Sequence, residues 1–346
     1  MKAFRRSARE ARAARLVDLP VPTPKDNEVL LRVAHCGICG SDLHAWLNHK
    51  GYESVLPEVT FGHEFSATVT DTGSRVTNWK TDDQAVMIAL QTHHDENDPY
   101  CRMGLPQLSS RRRVQGLHLD GGMAEYVCVE EEFLLPIPQG LDLELAALTE
   151  PLSVAEHCIG NRTSIGPDDK VIVSGPGIIG LLCAISARSR GAEVIISGTE
   201  RDEATRLTAA RTIGFETLVV GPGDLPLHEQ ITAYFPDGAD ALVEASGSAP
   251  ALADAWQSVR PDGTVTAVAL YSRTIDFDLT QFLRKQIDLR TSYASSKEDY
   301  LGAFKLLQDG AVDASVLTQN YALSDAEQGF IDSENLEVTK VLLNCS

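Results

Sequence analysis

The stretch that most restricts what this chain can fold into is Gly175-Pro176-Gly177-Ile178-Ile179-Gly180. It follows a short apolar run, Lys170–Ser174, and opens a helical pattern over Ile178–Arg190, after which Glu193–Ser197 reads as a second strand. A glycine triplet alone says little. Set between a strand and a helix, it describes a turn in which the first glycine permits the tight reversal, the second lets a pyrophosphate approach the backbone, and the third lets helix pack on strand. The helix start then offers free N–H groups and a positive dipole end to phosphate. Gly175, Gly177, Ile178, Ile179 and Gly180 are therefore expected to hold a dinucleotide.

The alternation continues with strands expected at Leu218–Val220, Ala241–Ala245, Thr264–Ala269 and Asp288–Thr291, and helices at Glu203–Ile213 and Ala249–Val259. Strands alternating with helices imply a parallel, doubly wound α/β sheet with right-handed crossovers. Upstream the pattern differs: Val29–Ala34, Ser66–Thr72, Gln84–Ala89 and Ala124–Val129 are short β-like runs punctuated by glycine and proline, as in a β-rich, barrel-like domain. A chain of 346 residues exceeds the size at which one core stops growing, so two domains are expected. The β-rich domain takes residues 1–154 and is completed by 292–346, where Asp299–Gln308 reads as helix and Lys340–Leu343 as strand. The dinucleotide domain takes residues 155–291.

Cofactor choice rests on the end of the second strand, where NAD enzymes place Asp or Glu against the ribose 2′-OH. Here the strand runs into Gly198-Thr199-Glu200-Arg201. Gly198 stands at the carboxylate position, while the Thr199 hydroxyl and the Arg201 cation suit a 2′-phosphate. This favours NADP. Glu200 keeps NAD open, because its carboxylate reaches the ribose after a small loop shift.

The chain carries 49 acidic against 30 basic residues, a formal charge of −19, which repels nucleic acid and anionic membrane. Seven cysteines, odd in number and widely scattered, do not form a disulfide framework and suit a reducing cytoplasm. The start, MKAFRRSAREARAARLVDL, is basic but lacks the apolar stretch of a signal peptide, and Leu16–Leu19 followed by Pro20, Pro22 and Pro24 reads as a strand entering a turn. No window approaches a membrane span.

In the first domain Cys36-Gly37-Ile38-Cys39-Gly40-Ser41-Asp42-Leu43-His44 is followed by Gly62-His63-Glu64. Zinc favours thiolate and imidazole, and a catalytic zinc takes three protein ligands plus an open position. Cys39, His63 and a carboxylate meet that need. Two carboxylates qualify: Glu64, and Glu150 in Thr149-Glu150-Pro151-Leu152. Cys36 with Cys39 makes a CxxC without a redox context, so Cys36 is expected to be buried packing. Ser41 has a second reading as the cap of a helix beginning at Asp42. His93, His94 and His118 are expected at the surface or at a cleft edge.

Taken in order, Gly-Ile-Cys-Gly-Ser-Asp-Leu-His, Gly-His-Glu, Glu-Pro-Leu and the glycine fingerprint resemble the zinc-dependent medium-chain dehydrogenases, in particular the sorbitol, threonine and idonate dehydrogenase branch. The likeness extends to Glu244-Ala245-Ser246-Gly247 and Arg260-Pro261-Asp262-Gly263. The resemblance implies a GroES-like catalytic domain beside a Rossmann domain. It implies zinc held by Cys39, His63 and Glu64, with Glu150 at the metal directly or through water, and the alcohol proton passing outward through Ser41 and His44. Many relatives carry a lobe with four cysteines around a structural zinc, but here Gln91–Gly122 contains only Cys101, so one catalytic zinc per chain is expected and no structural one. Tyr100-Cys101-Arg102-Met103-Gly104 resembles sorbitol dehydrogenases without that second metal. Arg111, Arg112 and Arg113 are expected to form a solvated or subunit-contact patch, in a homodimer or homotetramer.

The expected reaction is hydride transfer between NAD(P) and a secondary alcohol or ketone. The zinc lowers the alcohol pKa, and the hydride passes in the cleft between the domains. Two rival readings are a cofactor-binding regulatory protein that has lost catalysis and a zinc-free quinone-type reductase. Neither needs Cys39, Ser41, His44, His63, Glu64 and Glu150 together. Sugar alcohols, cyclitols, sugar acids and amino alcohols all stay open as substrates, because specificity lies in pocket shape.

Overall fold

A computed structural model describes residues 1–271 and 273–346. The chain divides into two compact units, one of residues 1–150, 296–309 and 318–346, the other of residues 151–295 and 310–317.

The second unit is built on a six-stranded sheet in the order Glu216–Val219, Glu193–Gly198, Lys170–Ser174, Ala239–Glu244, Val259–Ala267 and Asp288–Thr291. Every neighbouring pair is parallel. The chain therefore reverses its winding on either side of Lys170–Ser174, the doubly wound arrangement that places ligands at the strands' carboxyl ends. Central strands buried on both faces read as unbroken apolar runs, and Val171, Ile172, Val173, Leu242 and Val243 are all inaccessible. The expected helix at Glu203–Ile213 winds wide over Glu203–Leu207 before tightening at Thr208–Thr212.

The first unit centres on Glu28–Gly37, which pairs antiparallel with Glu64–Thr72, Tyr126–Glu130 and Lys340–Asn344. Phe4, Phe61, Phe65, Trp46 and Phe330 fill its core. The basic N-terminus is structured: Lys2–Arg6 forms a hairpin with Ala14–Asp18. Arg6 is buried there because its guanidinium donates to the Ala8 and Arg9 carbonyls and to Asn48 Oδ1.

The lobe between residues 91 and 122 is held by ion pairs and hydrogen bonds. Asp98 Oδ1 accepts the Tyr100 N–H and caps the turn Pro99–Arg102, while Asp98 Oδ2 accepts from Ser109 Oγ at 2.6 Å and from Arg111. Arg111 also reaches Asp95 at 2.6 Å. Arg112 and Arg113 donate to the Ser109 and His118 carbonyls. Arg111 and Arg113 are solvated, as expected of a solvated or subunit-contact patch, and all three arginines also stitch the lobe together. Among the described residues no helix is long and apolar enough to cross a membrane.

Candidate active site

Three strands of the first unit end together. Gly37 closes the central strand, opposite Glu64 on one side, while Lys340 opens the strand on the other. Lys340 and Glu64 form a fully buried ion pair, and Lys340 also donates to the Ile38 carbonyl at 2.9 Å. Only glycine leaves room for this: a Cβ at Gly37 would lie 2.2 Å from Glu64 Oε2 and 2.8 Å from Lys340 Cε. Burial works against the ammonium, but Glu64 holds the Lys340 pKa above its ordinary value.

Directly after Gly37 the chain turns into the helix Gly40–Trp46 with Cys39 as its N-cap. Ser41 therefore lies inside the first turn and does not cap it. Asp42 folds back so that its Oδ2 accepts the Cys39 N–H at 3.0 Å, and its Oδ1 lies 3.6 Å from His63 Nδ1. Asp42 is wholly buried, held to the Cys39 backbone on one side and facing the His63 imidazole on the other. Facing Nδ1 toward the carboxylate leaves His63 Nε2 directed at the site, 3.3 Å from Ser41 Oγ. Carboxylate support behind an imidazole is the usual arrangement of a metal-binding histidine.

Ligand atoms of Cys39, His63 and Glu64 lie within 4.8 Å of one another. Glu150, in the first turn of the helix Thr149–Glu156, is buried beside them, and burial together with Glu64 lifts its pKa to about 7, against the pull of His63. Burial opposes a charge on His63, yet Asp42 and Cys39 raise its pKa well above the imidazole range. The pocket thus gathers the carboxyl groups of Asp42, Glu64 and Glu150 around His63 and Lys340, with the Cys39 sulfur beside them. Thiolate, imidazole and carboxylate are the donors zinc takes, and both His63 Nδ1 and Asp42 Oδ1 are buried atoms without a full hydrogen bond. The residues present fit a zinc ion.

His44 is not hydrogen-bonded to Ser41; its Nδ1 faces His49 Nδ1 at 2.8 Å. Cys36 is buried in the core, as expected. His93 lies exposed between Glu130 and Glu132, and His118 Nδ1 accepts the Val114 N–H. Asp42, Lys340 and His49 escaped the sequence reading. Asp42 stood in the quoted motif, whereas Lys340 joins Glu64 only through the tertiary fold.

In the second unit Gly175 has φ +104°, and a Cβ there would meet the Ser246 N at 2.6 Å; at Gly180 a Cβ would strike the Gly175 carbonyl at 1.9 Å. Among the described residues, nothing apart from its chain neighbours lies within 4 Å of a Cβ built on Gly177, the N-cap of the helix Ile178–Ser189. The turn, the open cradle and the close helix packing suit a pyrophosphate over half-buried Ile178 and Ile179. Gly198 is buried, and any side chain there would press on Pro176 at 2.8 Å and Leu207 at 3.1 Å. Thr199 Oγ1 donates to Asp202 Oδ2 at 2.8 Å, so this hydroxyl serves the following turn, while Glu200 and Arg201 are exposed.

Residues 25–139 match the alcohol dehydrogenase GroES-like domain, and residues 179–309 match the zinc-binding dehydrogenase family. A sorbitol dehydrogenase of Halalkalibacterium halodurans is 33% identical over 94% of this chain and 93% of its own. A D-arabitol-phosphate dehydrogenase of Enterococcus avium is 32% identical over 91% and 89%. The crystal structure of 2R,3R-butanediol dehydrogenase from Bacillus subtilis superposes with a TM-score of 0.89 at 26% identity, covering 99% of both chains. The chain belongs to the zinc-dependent medium-chain dehydrogenase family. It is an oxidoreductase that uses zinc and a nicotinamide nucleotide on a small-molecule substrate.

Proposed function

We propose that this enzyme interconverts a secondary alcohol and its ketone on a polyol-like substrate, with one zinc per chain held by Cys39, His63 and Glu64. The observation that carries this reading is the convergence of those three ligand atoms, backed by Asp42, in a buried and acid-rich pocket. Relatives named for sorbitol and for arabitol phosphate support a polyol over a simple alcohol.

Zinc bound here would lower the alcohol pKa enough to form an alkoxide near neutral pH. Asp42 holds His63 in the tautomer that presents Nε2, and Lys340 fixes one oxygen of Glu64 so that the other faces inward. Glu150, raised to about 7, stands where it can take or return a proton at the substrate hydroxyl. On the route to solvent, Ser41 beside His63 would take the alcohol proton as its own hydroxyl proton passes on, and His44 would carry a proton outward, with Glu150 as the alternative acceptor. The reverse sequence delivers a proton during ketone reduction.

For the nucleotide, the reading is NADP over NAD. Gly198 has no space for a ribose-binding carboxylate, and exposed Arg201 offers a planar fork that pairs with phosphate oxygens. With the Thr199 hydroxyl bound to Asp202, Arg201 carries the preference. A homo-oligomer is supported by Asp288–Thr291, which forms an edge of the parallel sheet, and by exposed Leu270, Leu279, Leu283 and Leu289 in the same unit.

The test is a panel of sorbitol, arabitol, a cyclitol, a sugar acid and L-threonine with each nucleotide. Turnover of a polyol, fastest with NADP, supports the reading. Turnover confined to L-threonine would remove the polyol assignment, and a strict NAD preference would remove the role given to Arg201.

A further inference from the structure

His44 is joined to a second imidazole. His44 Nδ1 and His49 Nδ1 lie 2.8 Å apart, a separation at which one nitrogen must carry a proton and the other a lone pair. His44 is half-buried and His49 exposed, so the pair spans the path from the helix Gly40–Trp46 to solvent.

This contact is built by the turn that ends the helix. Asn48 adopts φ +54°, a left-handed conformation that asparagine tolerates better than most residues, and it reverses the chain. Its side-chain oxygen accepts from buried Arg6 at 2.7 Å, which ties the turn to the hairpin beneath it. The His49 N–H then donates to the His44 carbonyl at 2.9 Å, and the Tyr52 N–H to the His49 carbonyl at 3.2 Å. The Tyr52 ring stacks on His44 with centroids 5.5 Å apart. His44 is thus gripped between His49 and Tyr52. Other charges near the turn are directed elsewhere: Arg6 binds Asn48, Arg12 lies over the Trp46 ring, and Glu53 accepts the Gly51 N–H. Lys50 is exposed next to His49.

We propose that His49 is the solvent-side member of the proton path, a positioning residue that acts through His44 and hands the released proton to water. The inference rests on His44 being the relay group proposed above. Oxidation of one alcohol by NAD(P)⁺ yields ketone, NAD(P)H and one proton. That proton enters at His44 Nε2, the His44 Nδ1 proton crosses to His49 Nδ1, and the His49 Nε2 proton passes to water. Both rings end neutral, and exchange with water restores their tautomers before the next turnover. Burial and the neighbouring His49 both disfavour a charged His44, which keeps it ready to accept.

The experiment compares His44→Ala, His49→Ala and His49→Gln with the native holoenzyme, using whichever of sorbitol, arabitol and 2,3-butanediol the native enzyme oxidises. Zinc content is checked in each. His49→Ala is expected to slow oxidation by about 10-fold, less than the roughly 10²-fold of a directly positioned group because water reaches an exposed site. The acid limb of kcat/KM should move to higher pH, since His44 without a second imidazole beside it is more easily protonated. Glutamine, which keeps a polar contact but cannot take up and release a proton, should behave as alanine does, and added imidazole should restore His49→Ala. Full activity in His49→Gln, or an unmoved acid limb in His49→Ala, would overturn the proposal. If His44→Ala is impaired while both His49 variants match the native enzyme, only this inference falls. If all three match it, the relay through His44 falls as well.

Discussion

Lys340 illustrates how single residues carry this site. It is buried against Glu64, a partner 276 positions away in sequence. Replacing it with Met would strand a buried carboxylate, which costs about 3–5 kcal/mol when a buried pair loses one member. Chemical denaturation of the metal-free protein should register this loss, and a variant as stable as the native chain would show that Glu64 does not depend on Lys340. Asp42→Asn keeps the shape but withdraws the charge behind His63, so zinc affinity should fall by roughly 10- to 100-fold while nucleotide binding holds. Unchanged zinc affinity in a metal-buffer titration would dismiss Asp42 as a support. At the cofactor site, Arg201→Ala should raise KM for NADP and leave that for NAD; an equal effect on both would mark Arg201 as plain surface. Cys39, His63, Glu64 and Glu150 were legible in the sequence because zinc chemistry limits the residue types to consider. Lys340 and His49 were not, because their partners are set by strand pairing and by a left-handed turn at Asn48.

At the level of elements, the strands Lys170–Ser174 and Asp288–Thr291 coincide with their expected bounds. The first is a short apolar run because it is a parallel strand buried on both faces, whereas the second is the exposed edge strand of the same sheet. The hairpin strand Lys2–Arg6 was missed because its sequence is basic, and Arg6 is buried only through hydrogen bonds that no local pattern reveals. The lobe around Cys101 is the clearest case of chemistry replacing chemistry. With no four-cysteine set, Asp95, Asp98 and Ser109 gather on Arg111. The hydrogen bond from Ser109, followed by backbone N–H groups and Arg111, holds the Asp98 pKa below its ordinary value, and the Asn97 N–H and then Arg111 do the same for Asp95. A carboxyl depressed in the folded state adds stability that is present above its unfolded pKa of about 3.9 and lost as pH falls through the lower folded value. Arg111→Ala should therefore lower the Tm near neutral pH, and its difference from the native protein should shrink as pH falls below about 3.9 through the lower folded values of Asp95 and Asp98. Equal Tm losses at neutral and strongly acidic pH would contradict an ionic role for Arg111.

For the whole molecule, the open edge of the six-stranded sheet and its exposed leucines bear on assembly. Leu283 is 71% exposed and Leu289 43%. Replacing both with Asp should shift the sedimentation coefficient toward that of a single chain while the fold, read by circular dichroism, persists. A native protein that already sediments as one chain would rule out the homo-oligomer.

The account's central claim is that Cys39, His63 and Glu64 hold one catalytic zinc, and elemental analysis of the purified native enzyme beside Cys39→Ala and His63→Ala tests it most directly. The account predicts close to one zinc per native chain, loss of that zinc and of polyol-dependent NADPH formation in both variants, and nucleotide affinity little changed. Two tightly held zincs per native chain, or full zinc content in either variant, would contradict it.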